Sequence, residues 1–352
     1  MTRREFIGGA AAFAAVGVKP VQAGDSPALA AAKKWFQEAQ FGLMSHFGLY
    51  TMLGGEWRGR RAKHAYGEWI QHAERIPLAE YAHLATAFNP ILLDPLDWMK
   101  RARDAGMKYF VITSKHHDGF ALYRSKVSKY NVVDATPFKR DVIAEIAEAC
   151  RATGVKLGLY DSQDLDWSEP NGGGLKVRGS WPYGETPWGN DWDFGSNADY
   201  DFGRYLREKS MPQVEEILTQ YGDLCLVWFD VPMTMSRAQS EAFVSLVRKH
   251  QPGCLVSGRI GHGLGDYETP GDNAIASKTE QGKLYETVGT MNDSWGYRPT
   301  DTHYKSVDQI LGIKAACASI GSNYMLNFGP DPLGRMPVAA VDILGELAKR
   351  AR

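Results

Sequence analysis

YFVITSKHHD at 109–118 and KLGLYDS at 156–162, with VIAEIAEACRAT at 142–153 between them, decide the fold. The two outer stretches are short, apolar and rich in β-formers, and each runs directly into polar residues. The middle stretch places Val142, Ile146 and Cys150 at four-residue intervals, with Glu145 and Glu148 between them and Arg151 just after. That spacing gives a helix one apolar face. Strand, helix and strand in this order predict two parallel strands joined by a crossover helix.

The same alternation extends in both directions. Apolar runs at 41–46, 224–229, 254–257 and 323–328 read as further strands, and 94–105, 205–221, 236–250, 307–320 and 338–352 as amphipathic helices. No glycine-rich phosphate loop follows the first strand, which argues against a dinucleotide-binding sheet. The 352 residues suit one closed (β/α)8-like TIM barrel. Its sixth and seventh strands are not separable by pattern alone. The stretch 164–200, rich in Gly, Pro and Trp (Trp167, Trp181, Tyr183, Trp188, Trp192), follows the third strand and is expected to rim the barrel mouth. A structural Ω-loop is the competing reading.

The first 23 residues lie outside this pattern. Arg3-Arg4, an apolar run over 8–18 and Val21-Gln22-Ala23 have the layout of a twin-arginine export signal with its cleavage site. An uncleaved anchor helix is the alternative, although the run is short for a bilayer. The expectation is a periplasmic or secreted protein with its folded domain over 24–352. A formal net charge of −1 offers no general attraction for nucleic acid or anionic membrane, and a neutral substrate fits it better than a polyanion. The four cysteines form no CxxC pair, so neither a zinc signature nor a dense disulfide framework is indicated.

The strand ends carry the chemistry. His46 closes the first strand, and Lys115, His116, His117 and Asp118 follow the second. Tyr160, Asp161 and Ser162 end the third, Asp230 the fourth, and Arg259 follows the fifth. On a barrel these ends converge on one mouth, where buried polar groups need partners that a hydroxyl-rich ligand such as a sugar would supply. Asp230, at the end of LVWFD (226–230), is held as a nucleophilic carboxylate must be. A retaining glycosidase needs a second carboxyl about 5–5.5 Å away. Two alternatives stay open at this point: a loop-closing role for Asp230, and a metal site built on His46, His116 and Asp118.

The segments FGLMSHFGLYTMLGGEW (41–57), YGEWI (66–70), AGMKYFVITSKHHDGF (105–120) and KLGLYDSQDLDW (156–167) resemble glycoside hydrolase family 29, the α-L-fucosidases. So do LVWFD, GDYETPGDN (265–273), YETVGTMNDSWGY (285–297) and NYMLNFGP (323–330). The resemblance spans nearly the whole chain after the leader. It implies a retaining, exo-acting enzyme that removes terminal α-L-fucose from glycans, with no metal or organic cofactor. Asp230 matches the family's nucleophile. His46, Glu68, Trp69, His116, His117, Tyr160, Trp228, Arg259 and Trp295 match residues around the sugar. The acid/base position varies in the family. Glu286 is the first choice and Asp272 the second, both expected in loops over the mouth, with Glu268 and Glu280 as outsiders. Phe47 stands where many relatives have Trp, and the β-sandwich that follows the barrel in many members is not expected here. A preference for an α-L-galactoside, a non-catalytic sugar-binding barrel and a metal-dependent hydrolase are the remaining readings.

Overall fold

A computed structural model describes residues 24–351 apart from 65, 179–185, 278 and 281. The leader at 1–23 and the loop aromatics Trp181 and Tyr183 lie outside the described residues. Eight parallel strands follow one another around the sheet in chain order. They are β1 (Phe41–Ser45), β2 (Tyr109–Lys115), β3 (Lys156–Asp161), β4 (Leu226–Phe229), β5 (Leu255–Val256), β6 (Tyr267–Glu268), β7 (Leu284–Thr290) and β8 (Ser322–Phe328). A bridge between Ser257 and Tyr267, with Asp266 N–H donating to the Val256 carbonyl at 2.7 Å, brings β5 to β6 and nearly closes the barrel.

Alternation along each strand separates two cores. Met44, Tyr109, Val111, Trp228, Val288 and Met325 fill the barrel interior. Leu43, Phe110, Leu159, Val227, Leu326 and Phe328 face the helices outside. Large and small residues interlock inside. A Cβ at Gly42 would lie 2.4 Å from the Tyr109 ring, so β1 can carry no side chain at this position.

The crossover helices are α2 (Pro95–Asp104), α3 (Val142–Thr153), α4 (Met211–Gln220), α5 (Arg237–His250) and α6 (Val307–Ser319), and α7 (Val338–Arg350) follows β8. Asp94, Asp141, Ser236 and Ser306 cap four of them with side-chain oxygens on backbone N–H groups, the standard remedy for unpaired donors at a helix start. A helix that the sequence reading did not include, α1 (Pro27–Ala39), closes the lower end of the barrel. Its Phe36 ring lies 4.7 Å from Tyr267 and 5.9 Å from Tyr109.

Two strands escaped the sequence pattern for a structural reason. β6 has only two residues, and among the described residues neither the β5–β6 nor the β6–β7 connection carries a helix of more than one turn. The outward face of β7 is correspondingly open, and a cavity of about 380 Å³ lined by residues including Thr287, Gly289 and Tyr324 lies against it. The segment expected as one helix over 205–221 contains a π-turn, Leu206–Ser210, before α4. That extra residue in the turn lets Ser210 donate to the Gln163 carbonyl and Lys209 reach Asp166 beneath the mouth loops. Among the described residues no helix is long and apolar enough to cross a membrane. All four cysteines are buried free thiols.

Candidate active site

Asp230 follows β4 at the barrel mouth and is 8% exposed. Its backbone N–H donates to Gln163 Oε1 at 2.9 Å. The Tyr160 hydroxyl donates to Oδ2 at 2.9 Å, and Arg259 Nη1 to Oδ1 at 2.9 Å. Arg259 uses its other arm, Nη2, to hold Asp272 Oδ1 at 2.5 Å. One guanidinium therefore ties together two carboxylates from different loops, which only the planar fork of arginine does well.

The supporting wall is a column of flat side chains. His116 lies parallel to Tyr160 (5.4 Å, 11°), Tyr160 stacks on Trp228 (5.5 Å, 15°), and the Arg259 guanidinium carbon sits 4.7 Å over the Trp228 ring. His46 faces this column, with its ring 5.2 Å from Trp295 and its Nδ1 2.8 Å from Asn327 Oδ1. Burial pushes its imidazole down to about 4, so it is neutral near pH 7. His116 and His117 are held well below the usual histidine range by the same desolvation, each reinforced by neighbouring histidines. His117 Nδ1 is fixed by Ser162 Oγ at 2.6 Å, which leaves Nε2 3.8 Å from Asp230 Oδ2. His117 Nε2 and His116 Nδ1 are buried without a hydrogen-bond partner. Buried polar atoms left in this state mark a place where a ligand's hydroxyls are expected.

Glu68 and Trp69 reach the same mouth from a short turn, Gly67–Trp69. Glu68 Oε2 accepts the Gly296 N–H at 2.8 Å, and burial raises its carboxyl to about 8. Trp69 packs edge-on against His117 (5.0 Å) and Trp167 (5.3 Å). Two tryptophans of the 164–200 loop, Trp167 and Trp188, thus have a more interior position than a rim implies, while Trp192 is half-buried at their edge. Trp167 and Trp188 are buried in a small core with Trp69, and Trp167 Nε1 donates to the Trp188 carbonyl at 2.9 Å.

Several expectations need correction. Glu286 is not in a loop over the mouth. It is the third residue of β7, faces the barrel interior and is fully buried, with Oε2 accepting the Tyr109 hydroxyl at 2.6 Å and Oε1 the Trp228 indole N–H at 2.9 Å. Alternation explains the misplacement, since 286 shares the inward phase with Val288 once β7 is recognised as a strand. Lys115, Asp118 and Asp161 also turn away from the mouth. Asp118 accepts the Tyr81 hydroxyl at 2.8 Å and the Phe120 N–H at 3.2 Å, so it is drawn away from His46 and His116. Lys115 lies 3.8 Å from Asp161 and 3.9 Å from Asp166 in a buried ionic cluster. Among the described residues no group of three His, Cys, Asp or Glu side chains is disposed to hold a metal ion. Glu268 ends β6 and Glu280 lies in the following loop.

Gln163 and Asn327 were missed by the sequence reading. Asn327 is the more legible of the two, because it is a polar residue in the inward phase at the end of β8, the same signal that exposed His46 and Asp230.

The family model described as alpha-L-fucosidase matches residues 21–350. The chain belongs to the alpha-L-fucosidase family. It is similar to an alpha-L-fucosidase of Lactobacillus casei of known structure, with 48% identity and a TM-score of 0.86 over 91% of this chain and 97% of that one. That enzyme has also been solved with fucose, and mutants of it with 4-nitrophenyl α-L-fucopyranoside and with Fucα(1,6)GlcNAc. An alpha-L-fucosidase from a Vibrio strain is 34% identical, with a TM-score of 0.84 over 91% of this chain and 55% of that one. Rat tissue alpha-L-fucosidase is 28% identical over 86% of this chain. The chain spans 64% of the length of the rat protein and of a putative alpha-L-fucosidase from Caenorhabditis elegans.

Proposed function

We propose that this protein is an exo-acting, retaining α-L-fucosidase with Asp230 as nucleophile and Asp272 as acid/base. The observation that carries the proposal is the Arg259 fork, which holds both carboxylates at once. They stand on either side of one guanidinium, 2.9 Å and 2.5 Å from its two terminal nitrogens, so both border the same small space, as a nucleophile and its acid/base partner must. Glu286 is a poor acid/base by comparison. It is sealed below Trp228 with both oxygens already engaged, whereas the Asp272 side chain is 30% exposed.

In the first step Asp230 attacks the anomeric carbon while Asp272 gives its proton to the departing oxygen. The glycosidic bond breaks as the aspartyl ester forms. In the second step Asp272 takes a proton from water, the resulting hydroxide attacks the same carbon, and Asp230 leaves as carboxylate. Two inversions give net retention. His46, His116 and His117, neutral and fixed in orientation, would hold the sugar hydroxyls together with Glu68, and Trp69 and Trp295 would pack on the ring and its methyl group. Export by the twin-arginine route is part of the proposal, supported by the position of the leader, which ends near the start of the family match.

Azide separates the two carboxylate roles. In Asp272→Ala it should restore turnover and yield α-L-fucosyl azide by attack on the fucosyl-enzyme. In Asp230→Ala it should take the nucleophile's place and yield the β-anomer. The opposite pairing, or rescue of Glu286→Ala instead, would overturn the assignment. Turnover abolished by EDTA would contradict the metal-free mechanism.

A further inference from the structure

Glu286 occupies a part of the barrel where apolar filling is the norm. A carboxylate is costly to bury there, and an apolar side chain of the same volume would pack at less expense. Its contacts account for its presence. Trp228 can only donate through Nε1, and Glu286 Oε1 receives that hydrogen bond at 2.9 Å. The Tyr109 hydroxyl holds Oε2 at 2.6 Å, so the carboxylate is fixed between β2 and β4. The other ionisable groups close to it are Tyr267 and Cys225, both kept protonated by burial, and Arg259 beyond the indole.

The Trp228 ring is therefore clamped at its N–H edge, and its face supports the groups that hold Asp230. Tyr160 is stacked on it and donates to Oδ2. Arg259 rests over it and donates to Oδ1, as well as to Asp272. Once ionised, above about pH 7, the carboxylate also places a negative charge at the N–H edge, which enriches the indole π-system and strengthens its attraction for the guanidinium.

We infer that Glu286 is a positioning residue for the reaction proposed above, acting through the Trp228 indole to hold Arg259 and Tyr160 in register with Asp230. It touches neither substrate nor reacting atoms. The inference rests on the fucosidase reading, and wild-type turnover of an aryl α-L-fucoside tests that reading separately.

The test is a double-mutant cycle on that substrate at a pH about one unit above 7, where Glu286 is ionised, with Glu286→Gln, Trp228→Phe and the pair. Glutamine preserves size but removes the charge, and phenylalanine removes the N–H. Glu286→Gln should lower kcat/KM about tenfold in the wild-type background, mainly through kcat, and less than twofold in the Trp228→Phe background. Glu286→Asp should recover part of the loss, and azide should not rescue Glu286→Ala. Equal losses in both backgrounds would show that Glu286 does not act through the indole. Wild-type activity in Glu286→Gln would show that it positions nothing. Either result overturns the inference while leaving the fucosidase reading intact.

Discussion

Arg259→Lys isolates the geometry of the fork from its charge. Arginine makes two charge-assisted hydrogen bonds here, one to each carboxylate, and lies over Trp228 at 4.7 Å. Lysine keeps the positive charge on a flexible stem but cannot present two parallel N–H groups to Asp230 and Asp272. It therefore keeps about one of the two bonds. Hydrogen bonds to charged groups contribute about 1.5–3 kcal/mol each, and the Arg259 side chain is only 21% exposed, so solvent replaces little of what is lost. The expected fall in kcat/KM is on the order of 10–100-fold at 25 °C. Because the lost bond orients reacting groups, the fall should lie mostly in kcat. Steady-state kinetics on an aryl α-L-fucoside at fixed pH measure it, with thermal unfolding as a control for folding. A Lys variant within twofold of wild type would mean that charge alone suffices and that the fork does not organise the two carboxylates.

Three further outcomes follow from the packing and the buried acids. Trp167→Ala removes the ring supporting Trp69 and His117 and should cost about 3–5 kcal/mol in denaturant unfolding while raising KM more than it lowers kcat. An unchanged midpoint would mean that the small tryptophan core is not a support. Gly42→Ala drives a methyl group into the Tyr109 ring and should destabilise by about 1–3 kcal/mol, whereas a neutral result would show that this layer can give way. Glu286→Gln should gain stability relative to wild type as pH rises. Burial raises the Glu286 carboxyl to about 7, so the folded state binds its proton more tightly than the unfolded chain does. Its stabilising contribution is complete below about pH 4 and is lost as pH climbs through 7. A stability difference between the two proteins that stays flat from pH 4 to 8 would contradict this.

The strongly periodic parts of the fold were legible in the sequence. The helix at 142–153 and the strands around Tyr109, Lys156 and Asn323 are long enough to show their alternation. β6 is two residues long and, among the described residues, borders two connections without long helices, so the βα rhythm breaks there and the pattern gives β7 as loop. The error at Glu286 has this origin. A residue on an unrecognised strand is assigned to the mouth when its phase directs it into the barrel. His46, His116, Tyr160, Asp230 and Arg259 at the strand ends do meet in one place, but polarity at a strand end does not distinguish inward from outward phase, and Lys115 and Asp161 share it while pairing away from the mouth. Resemblance to the family supplied Glu68, Trp69 and Trp295, which lie in loops with no periodic signal. Asn327 carried the signal without being singled out, and Gln163 depends on a loop conformation that no local pattern encodes.

The most direct test of the account is release of 4-nitrophenol from 4-nitrophenyl α-L-fucoside by the wild-type protein and by Asp230→Ala, each with and without EDTA. The account predicts chelator-insensitive turnover by wild type and a loss of several orders of magnitude in Asp230→Ala, with both proteins folded. Substantial turnover by Asp230→Ala, or an inert wild type that also fails on fucosylated oligosaccharides, would contradict it.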